Sequence, residues 1–163
     1  MKILVVYSSQ TGNTEALARA VFEALPEAKT IATLEEAPDP AGYDLVAMGF
    51  WLRGGKPEPQ SAEYLARLGA VNLFLFCTHG APLGSDHVAG ALAAAGEMAS
   101  QAKVVGSVTS QGTVDPKILE MVRARPKDQQ PPWIDAADSA AGHPGPEDLT
   151  RAREAVAQAL KAL

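Results

Sequence analysis

The sequence predicts a doubly wound α/β domain, in which a five-stranded parallel sheet is covered by helices on both faces. Apolar β-favouring runs such as residues 3–7 lack the polar alternation of a half-exposed strand. Five such runs alternate with amphipathic helical patterns. The chain has 163 residues, 47% of them hydrophobic, which is enough for one substantial core. We therefore expect a single domain over residues 1–163, with right-handed crossovers and strand order 2-1-3-4-5.

The first half of the chain predicts three strands and two helices. The strands are expected at residues 3–7, 29–33 and 44–49. Apolar side chains that recur every four positions predict a helix from Thr14 to just before Pro26, and these are Leu17, Val21 and Leu25. After a proline-rich stretch, residues 63–69 predict a short helix that ends at Gly69.

The second half predicts two strands, at residues 71–78 and 103–109. Ser85 is expected to cap a helix whose apolar side chains fall roughly on one face, namely Val88, Leu92 and Met98 or Ala99. Asp115 followed by Pro116 has the chemistry of a helix start. The last helix is expected from about Pro146, where acidic residues suit its positive end, and its predicted buried side chains are Leu149, Ala152, Val156 and Leu160.

Residues 126–146 are rich in proline and show no durable periodicity, so a surface segment is expected there, with Trp133 holding it to the body of the domain.

The composition excludes several classes of function. A net charge of −5 and a pI near 5.2, without clustered lysine and arginine, argue against binding to nucleic acid or to an anionic membrane. The single cysteine, Cys77, is expected to be a small core residue rather than a nucleophile. Neither His79 nor His87 has a partner at chelating spacing, so no metal site is expected. With no signal peptide or membrane-spanning run, the expected location is the cytoplasm.

In a sheet of this order, ligands bind beyond the carboxyl ends of the strands, which directs attention to residues 8–14 and 50–59. The first of these loops has backbone amides at a helix N-terminus, hydroxyls on Ser9, Thr11 and Thr14, and an amide on Asn13. These groups suit phosphate oxygens. The alternative is a polar loop in which Thr11 or Thr14 only caps the helix.

Other phosphate and nucleophile signatures are absent. No G-x-x-x-x-G-K-[ST], G-x-G-x-x-G or G-x-S-x-G motif occurs. The first loop contains neither cysteine nor arginine, which excludes a phosphatase that depends on both. Gly49 stands where a phosphoacceptor receiver domain requires aspartate, so that class is also disfavoured.

The stretch "SSQTGNT" resembles the phosphate loop of flavodoxins, [ST]-x-T-G-x-T, at Ser9, Thr11, Gly12 and Thr14. The resemblance covers nearly the whole chain, because "GFWLRGGKP" and "CTHGAP" occupy the places of the two loops that enclose the flavin in that family. The stretches "SQGTVDPKILEMV" and "GHPGPEDLTRA" further resemble a bacterial branch of flavodoxin-like proteins, some of which are associated with bilirubin reductase.

The resemblance implies a flavodoxin-like fold that binds FMN, with the phosphate on residues 9–14 and the ring between Trp51 and the loop at residues 78–82. The implied cofactor-binding residues are Ser9, Gln10, Thr11, Gly12, Asn13, Thr14, Phe50, Trp51, Leu52, Arg53, Gly54, Thr78, His79, Gly80 and Ala81. Trp51 can stack on the flat ring, and the alternative is that it covers the edge of the core.

Several details of the implied site stay open. Gly54 and Gly55 allow positive φ, either for the peptide reorientation known in flavodoxins or for an ordinary turn. Arg53 is expected to point outward. Flavodoxins often place a tyrosine on the second face of the ring, and here that place falls to His79, to Leu83 or to neither. The proline-rich segment with Trp133 either covers the ring or docks a partner.

The resemblance implies an electron carrier that takes electrons from a reductase and delivers them to an acceptor redox protein, as a monomer or a weak dimer. No catalytic residue is assigned in that case. The alternative is an NAD(P)H-dependent FMN or quinone reductase that acts on a small acceptor. The short loop after residue 78 and the lack of a basic nucleotide site favour the carrier.

Overall fold

The computed structural model describes residues 1–163, which form six strands, five α-helices and two 3₁₀ helices. The strands are β1 (Ile3–Tyr7), β2 (Lys29–Thr33), β3 (Leu45–Arg53), β4 (Lys56–Pro57), β5 (Asn72–His79) and β6 (Lys103–Gln111). The helices are α1 (Asn13–Ala24), α2 (Pro59–Ala66), α3 (Asp86–Met98), α4 (Pro116–Arg123) and α5 (Pro146–Lys161). The 3₁₀ helices are Lys127–Gln129 and Pro132–Ala140. No helix is both long and apolar enough to cross a bilayer.

Five of the strands are parallel and follow the order β2-β1-β3-β5-β6. This is the predicted order 2-1-3-4-5, so the prediction of a doubly wound α/β fold is confirmed. The sixth strand, β4, is short and pairs antiparallel to the end of β3. The carboxyl ends of β1, β3 and β5 therefore meet at one edge of the sheet, with β1 and β5 on either side of β3.

Both faces of the sheet are buried, as the continuous apolar runs predict. Side chains alternate between the two faces along β1, so that Ile3 and Val5 pack under α1 and α5, whereas Leu4 and Val6 pack under α2 and α3. All four are completely buried. The two faces are called below the α1/α5 face and the α2/α3 face.

The ends of the helices follow local chemistry. Helix α1 ends at Ala24, with Leu25 as its C-cap, and so stops before Pro26 as predicted. Helix α2 runs from Pro59 to Ala66 rather than over residues 63–69, because the buried Glu58 carboxylate caps it by accepting hydrogen bonds from two of its first-turn amides. Asp115 caps α4 as predicted. Ser85 precedes α3 as expected, but its hydroxyl makes no capping bond.

The expected loop at residues 50–59 is instead largely a hairpin. Strand β3 continues to Arg53, and the chain reverses at Gly54 and Gly55, whose φ angles are +60° and +77°. It returns through β4, where Arg53 pairs with Lys56. Two consecutive glycines with positive φ allow the tight turns that suit a two-residue hairpin loop, which is why this stretch pairs with itself.

The proline-rich segment (residues 126–146) is more ordered than the sequence suggests. Its longer 3₁₀ helix buries Ile134, Ala137 and Ala140, which lie three residues apart and so share one side of a helix with three residues per turn. The predicted surface segment is therefore docked on the domain through an apolar side.

Candidate functional site

The loop between β1 and α1 presents the N-terminus of a helix without a side-chain cap. Gly12 occupies the N-cap position with φ +87°, a conformation that favours glycine. Its amide donates to Ser9 Oγ at 3.2 Å, which closes the loop on itself. The following amides of the first turn receive no side-chain cap, so they can bind an anion at the positive end of α1.

Thr14 and Thr78 connect this loop to the end of β5. Their hydroxyl oxygens lie 2.8 Å apart, and both side chains are buried. Thr14 therefore anchors α1 to the sheet, and the expected alternative that Thr11 or Thr14 caps the helix is not what the structure shows. Gln10 and Thr11 are exposed at the tip of the loop.

Asn13 fastens the loop to the chain beyond β6. Its Nδ2 donates to the carbonyl oxygen of Thr113 at 2.9 Å and contacts Thr11 Oγ1 at 3.2 Å. Gly112 allows this approach, because a Cβ there would lie 2.7 Å from Asn13 Nδ2. The end of β6 and the residues just after it, 111–113, thus belong to the site.

Trp51 lies on a strand rather than at a loop tip, and it pairs in register with Thr78 of β5. Its side chain lies on the same face of the sheet as would a Cβ on Gly49, two positions earlier. A Cβ on Gly49 would meet the ring of Phe76, which belongs to the core of the α1/α5 face, so Trp51 lies on that face as well. Its indole Nε1 is buried and has no hydrogen-bond acceptor. A buried donor without a partner is costly, and a bound ligand would satisfy it.

The two neighbours of Trp51 point away from this face. Phe50 is fully buried in the core of the α2/α3 face, and Leu52 packs against the same core. Strand alternation turns these two side chains to the side of the sheet opposite Trp51. That Phe50 and Leu52 contribute to a cofactor site stays a prediction. Arg53 is exposed, in agreement with the expected outward orientation.

The Gly54–Gly55 turn is covered by His87 from the start of α3. A Cβ on Gly55 would lie 2.7 Å from the His87 ring, whereas a Cβ on Gly54 would meet nothing within 4 Å. The turn is thus closely packed at Gly55 and has free space at Gly54.

His79 ends β5 with its imidazole buried. Nδ1 lies 3.0 Å from the Ala81 carbonyl oxygen and donates to it, which leaves Nε2 buried and without a partner. Burial lowers the pKa of His79, the bond to Ala81 opposes this, and the nearby His87 adds to the lowering. The buried His79 side chain offers no flat surface to a ligand ring, whereas Leu83 is exposed.

Gly80 and Ala81 lie next to the chain that follows β6. The Gln111 side-chain amide donates to the Ala81 carbonyl oxygen at 3.1 Å and to Ser139 Oγ at 3.0 Å. Ring atoms of Trp133 lie 3.5 Å and 4.0 Å from the position that a Cβ on Gly80 would take. Neither Gln111 nor Thr113 was predicted to lie at the site, and the polar run just after a predicted strand was the available signal.

Cys77 does not contribute reactive chemistry. Its thiol is completely buried, and burial raises its pKa to about 12. At neutral pH the thiolate form is negligible. The described chain also has no group of three or more histidine, cysteine, aspartate and glutamate side chains able to hold a metal ion.

Comparisons with known sequences agree with the fold. The family model described as "Flavodoxin domain" matches residues 4–157. A flavodoxin-like domain-containing protein, BilS, of Clostridioides difficile (strain CD3) is 35% identical over 85 residues, which is 50% of this chain and 48% of that protein. The chain thus aligns with about half the length of that relative. BilS of Clostridium symbiosum (strain WAL-14163) is 29% identical and aligns over 91% of this chain and 90% of its own length.

Solved structures share the fold at low sequence identity. A flavodoxin from Streptococcus pneumonia TIGR4 superposes with a TM-score of 0.64 and 16% identity, covering 99% of both chains. A flavoprotein from Lactobacillus acidophilus NCFM, crystallised in complex with FMN, superposes with a TM-score of 0.56 and 16% identity over 66% of this chain and 92% of that one.

Proposed function

Because this chain belongs to the flavodoxin domain family, we propose that it binds FMN at the carboxyl edge of its sheet and carries electrons between redox proteins. The predicted FMN cofactor agrees with the family match and with the FMN complex of the Lactobacillus flavoprotein. The predicted resemblance to bacterial flavodoxin-like proteins agrees with the two BilS relatives, whereas an association of this chain with a bilirubin reductase stays a prediction.

The indole N–H of Trp51 is the observation that carries this proposal. It is a buried donor without an acceptor, on the same face of the sheet as α1 and in register with Thr78, which bonds to the first turn of α1. A phosphate at the uncapped N-terminus of α1 supplies acceptor oxygens there. The residues present therefore fit the phosphate end of FMN, since the donor set consists of amides, hydroxyls and one indole.

The residues that would hold the phosphate are neutral, namely Ser9, Thr11, the amides of the first turn of α1, and Trp51. No lysine or arginine lies among residues 7–15. Such a site relies on hydrogen bonds and the helix dipole rather than on ion pairs. FMN supplies one-electron and two-electron chemistry when bound, while the chain binds and orients it.

The features of this chain favour the electron carrier over the alternative reductase. The loop after β5 is short, and neither Cys77 nor His79 offers an accessible reactive group. The net charge of −5 would steer partners with basic surfaces to the molecule. We therefore propose a reductase as the electron donor and a second redox protein as the acceptor.

The experiment that tests FMN binding uses the difference between FMN and riboflavin, which lacks the phosphate. The Trp51→Phe variant keeps an aromatic ring but removes the N–H donor. We expect it to bind FMN roughly tenfold or more weakly, since a hydrogen bond to a charged group contributes about 1.5–3 kcal/mol, while its riboflavin affinity is unchanged. Tyr43→Phe, at the opposite edge of the sheet, is the control. A folded chain that fails to bind FMN would refute the proposal.

The carrier and the reductase are distinguished by anaerobic mixing of the FMN-loaded protein with NADH or NADPH. We expect no rapid bleaching of the flavin until a separate reductase is added. Rapid bleaching by the nucleotide alone would favour the NAD(P)H-dependent reductase instead.

A further inference from the structure

Trp133 lies at the same edge of the sheet as Trp51, although it comes from the proline-rich segment. These are the two tryptophans of the chain. Trp51 is on β3, beside Thr78 of β5, and the Trp133 ring lies against Gly80, two residues further along the chain. Both indoles are therefore located around the end of β5, where the site lies.

The proline-rich segment is hydrogen-bonded to the loops of the site as well as to α4, where Arg123 donates to an aspartate of the segment at 2.8 Å. Thr113, whose carbonyl oxygen accepts from Asn13 of the phosphate loop, donates its own amide to the His143 carbonyl oxygen at 2.8 Å. Its hydroxyl also accepts from the amide of Gly142 at 3.0 Å. The segment is thus joined through one residue to the loop that would bind phosphate.

A second connection joins the segment to the loop after β5. The Gln111 side chain bridges the carbonyl oxygen of Ala81 and the hydroxyl of Ser139. Gln111, the last residue of β6, thereby connects the segment to the loop after β5. Thr113, two residues later, connects it to the loop between β1 and α1. These bonds, together with the apolar packing of the segment, hold Trp133 next to Gly80.

Trp133 is not one of the buried side chains that pack the proline-rich segment against the domain. Ile134, Ala137 and Ala140 form its buried side. Trp133 is only partly buried, and its ring lies against Gly80. An indole in this situation presents a flat apolar surface that suits contact with an aromatic ligand.

We propose that Trp133 forms one wall of the FMN pocket, beside the loop after β5, and that the proline-rich segment holds it there. This inference rests on the proposed function. Such a wall restricts the access of small molecules to that side of the ring and adds contact area for the cofactor.

The test labels both tryptophans of the full chain with 5-fluorotryptophan and follows their fluorine signals while FMN is added. The Trp51→Phe variant assigns the signals. We expect the Trp133 signal to shift on FMN binding, because the ring current of an adjacent flavin acts only at short range. This measurement uses the unsubstituted chain, so it does not depend on whether a Trp133 variant folds.

Affinity provides a second readout. We expect Trp133→Ala to bind FMN about tenfold more weakly and Trp133→Phe to retain most of the affinity. Tyr43→Ala removes a half-buried aromatic ring at the opposite edge and should leave the affinity unchanged. FMN binding with an unmoved Trp133 signal and an unaltered Trp133→Ala affinity overturns this inference and leaves the proposed function intact. A chain that does not bind FMN at all overturns both.

Discussion

The hydroxyl groups of Thr14 and Thr78 lie 2.8 Å apart, and they join the first turn of α1 to the C-terminal end of β5. Both side chains are almost completely buried, so neither hydroxyl can exchange its partner for water. This bond connects the loop that would bind phosphate to the end of β5.

Replacing either threonine alone is expected to destabilise the protein. Thr14→Val leaves the hydroxyl of Thr78 buried and unpaired, and Thr78→Val does the same to Thr14. Each should lower the free energy of unfolding by about 1–3 kcal/mol, measured by urea denaturation of the FMN-free protein. The double variant removes both hydroxyls and should cost clearly less than the sum of the two. Strict additivity would show that the hydroxyls are not coupled.

The two glycines of the hairpin turn should respond differently to substitution. Both have positive φ, so alanine strains the backbone at either position by roughly 1 kcal/mol. At Gly55 the new methyl group must also displace the His87 ring, which lies 2.7 Å from its position, whereas Gly54 has free space. We expect Gly55→Ala to destabilise the protein more than Gly54→Ala in thermal unfolding.

A second substitution isolates the contribution of His87. In a His87→Ala background the steric contact is gone, and the two glycine variants should become equally stable. If Gly55→Ala is still the less stable of the two, the contact with His87 is not the cause.

The sequence predicts the parallel strands well because a strand that is buried on both faces is a continuous run of apolar residues. The continuous apolar run at Ile3–Tyr7 has no second interpretation of comparable quality, and the order of the strands follows from the chain length and the alternation of elements. The loop of residues 8–14 also lies where the sequence predicts it, between β1 and the N-terminus of α1, and Gly12 takes a left-handed conformation before that helix.

The side chains at the end of β3 were harder to predict. The strand was predicted to end at Gly49, but it continues to Arg53. Whether Phe50 and Trp51 point to the same side depends on where strand pairing stops. Once pairing continues to Arg53, strict alternation puts Phe50 and Trp51 on opposite faces. The decisive interaction is the hairpin with β4, which depends on the turn formed by two glycines rather than on apolar periodicity.

The docking of the proline-rich segment was not predictable from periodicity either. A 3₁₀ helix buries every third residue, and with Ile134, Ala137 and Ala140 two of the three buried side chains are alanines that carry little hydrophobic signal. The bonds that place the segment come from Gln111 and Thr113, which are distant in sequence.

The buried imidazole of His79 should make the stability of the FMN-free protein depend on pH. Burial lowers its pKa below the ordinary value of 6.5, so the unfolded chain binds a proton more readily than the folded one. Stability should therefore be fully present above about pH 6.5 and should fall as the pH decreases toward the pKa of the folded state. Urea denaturation at a series of pH values measures this slope.

The matched variants for His79 are His79→Gln, which cannot titrate, and His87→Ala, which removes the neighbouring histidine. We expect the slope below about pH 6.5 to diminish strongly in His79→Gln. It should decrease only slightly in His87→Ala, because His87 is a minor cause of the shift. An unchanged slope in His79→Gln would assign the pH dependence to another group.

Asp148 should control stability at lower pH. Burial alone would raise its pKa, but hydrogen bonds from the Gly145 amide, His143 and Arg151 at 2.7 Å, 2.5 Å and 2.7 Å outweigh this, and the pKa is lowered. Because the folded state favours the ionised carboxylate, its contribution is fully present above the ordinary pKa of about 4 and is lost as the pH falls through the lower pKa of the folded state. Asp148→Asn should lower the free energy of unfolding at neutral pH by roughly 2 kcal/mol and should weaken the acid dependence.

Glu23→Gln removes an exposed ion pair with Arg153 and should change stability by less than about 1 kcal/mol, which makes it the control. Equal effects of the two variants at neutral pH would mean that the buried carboxylate at the start of α5 contributes no more than a surface charge.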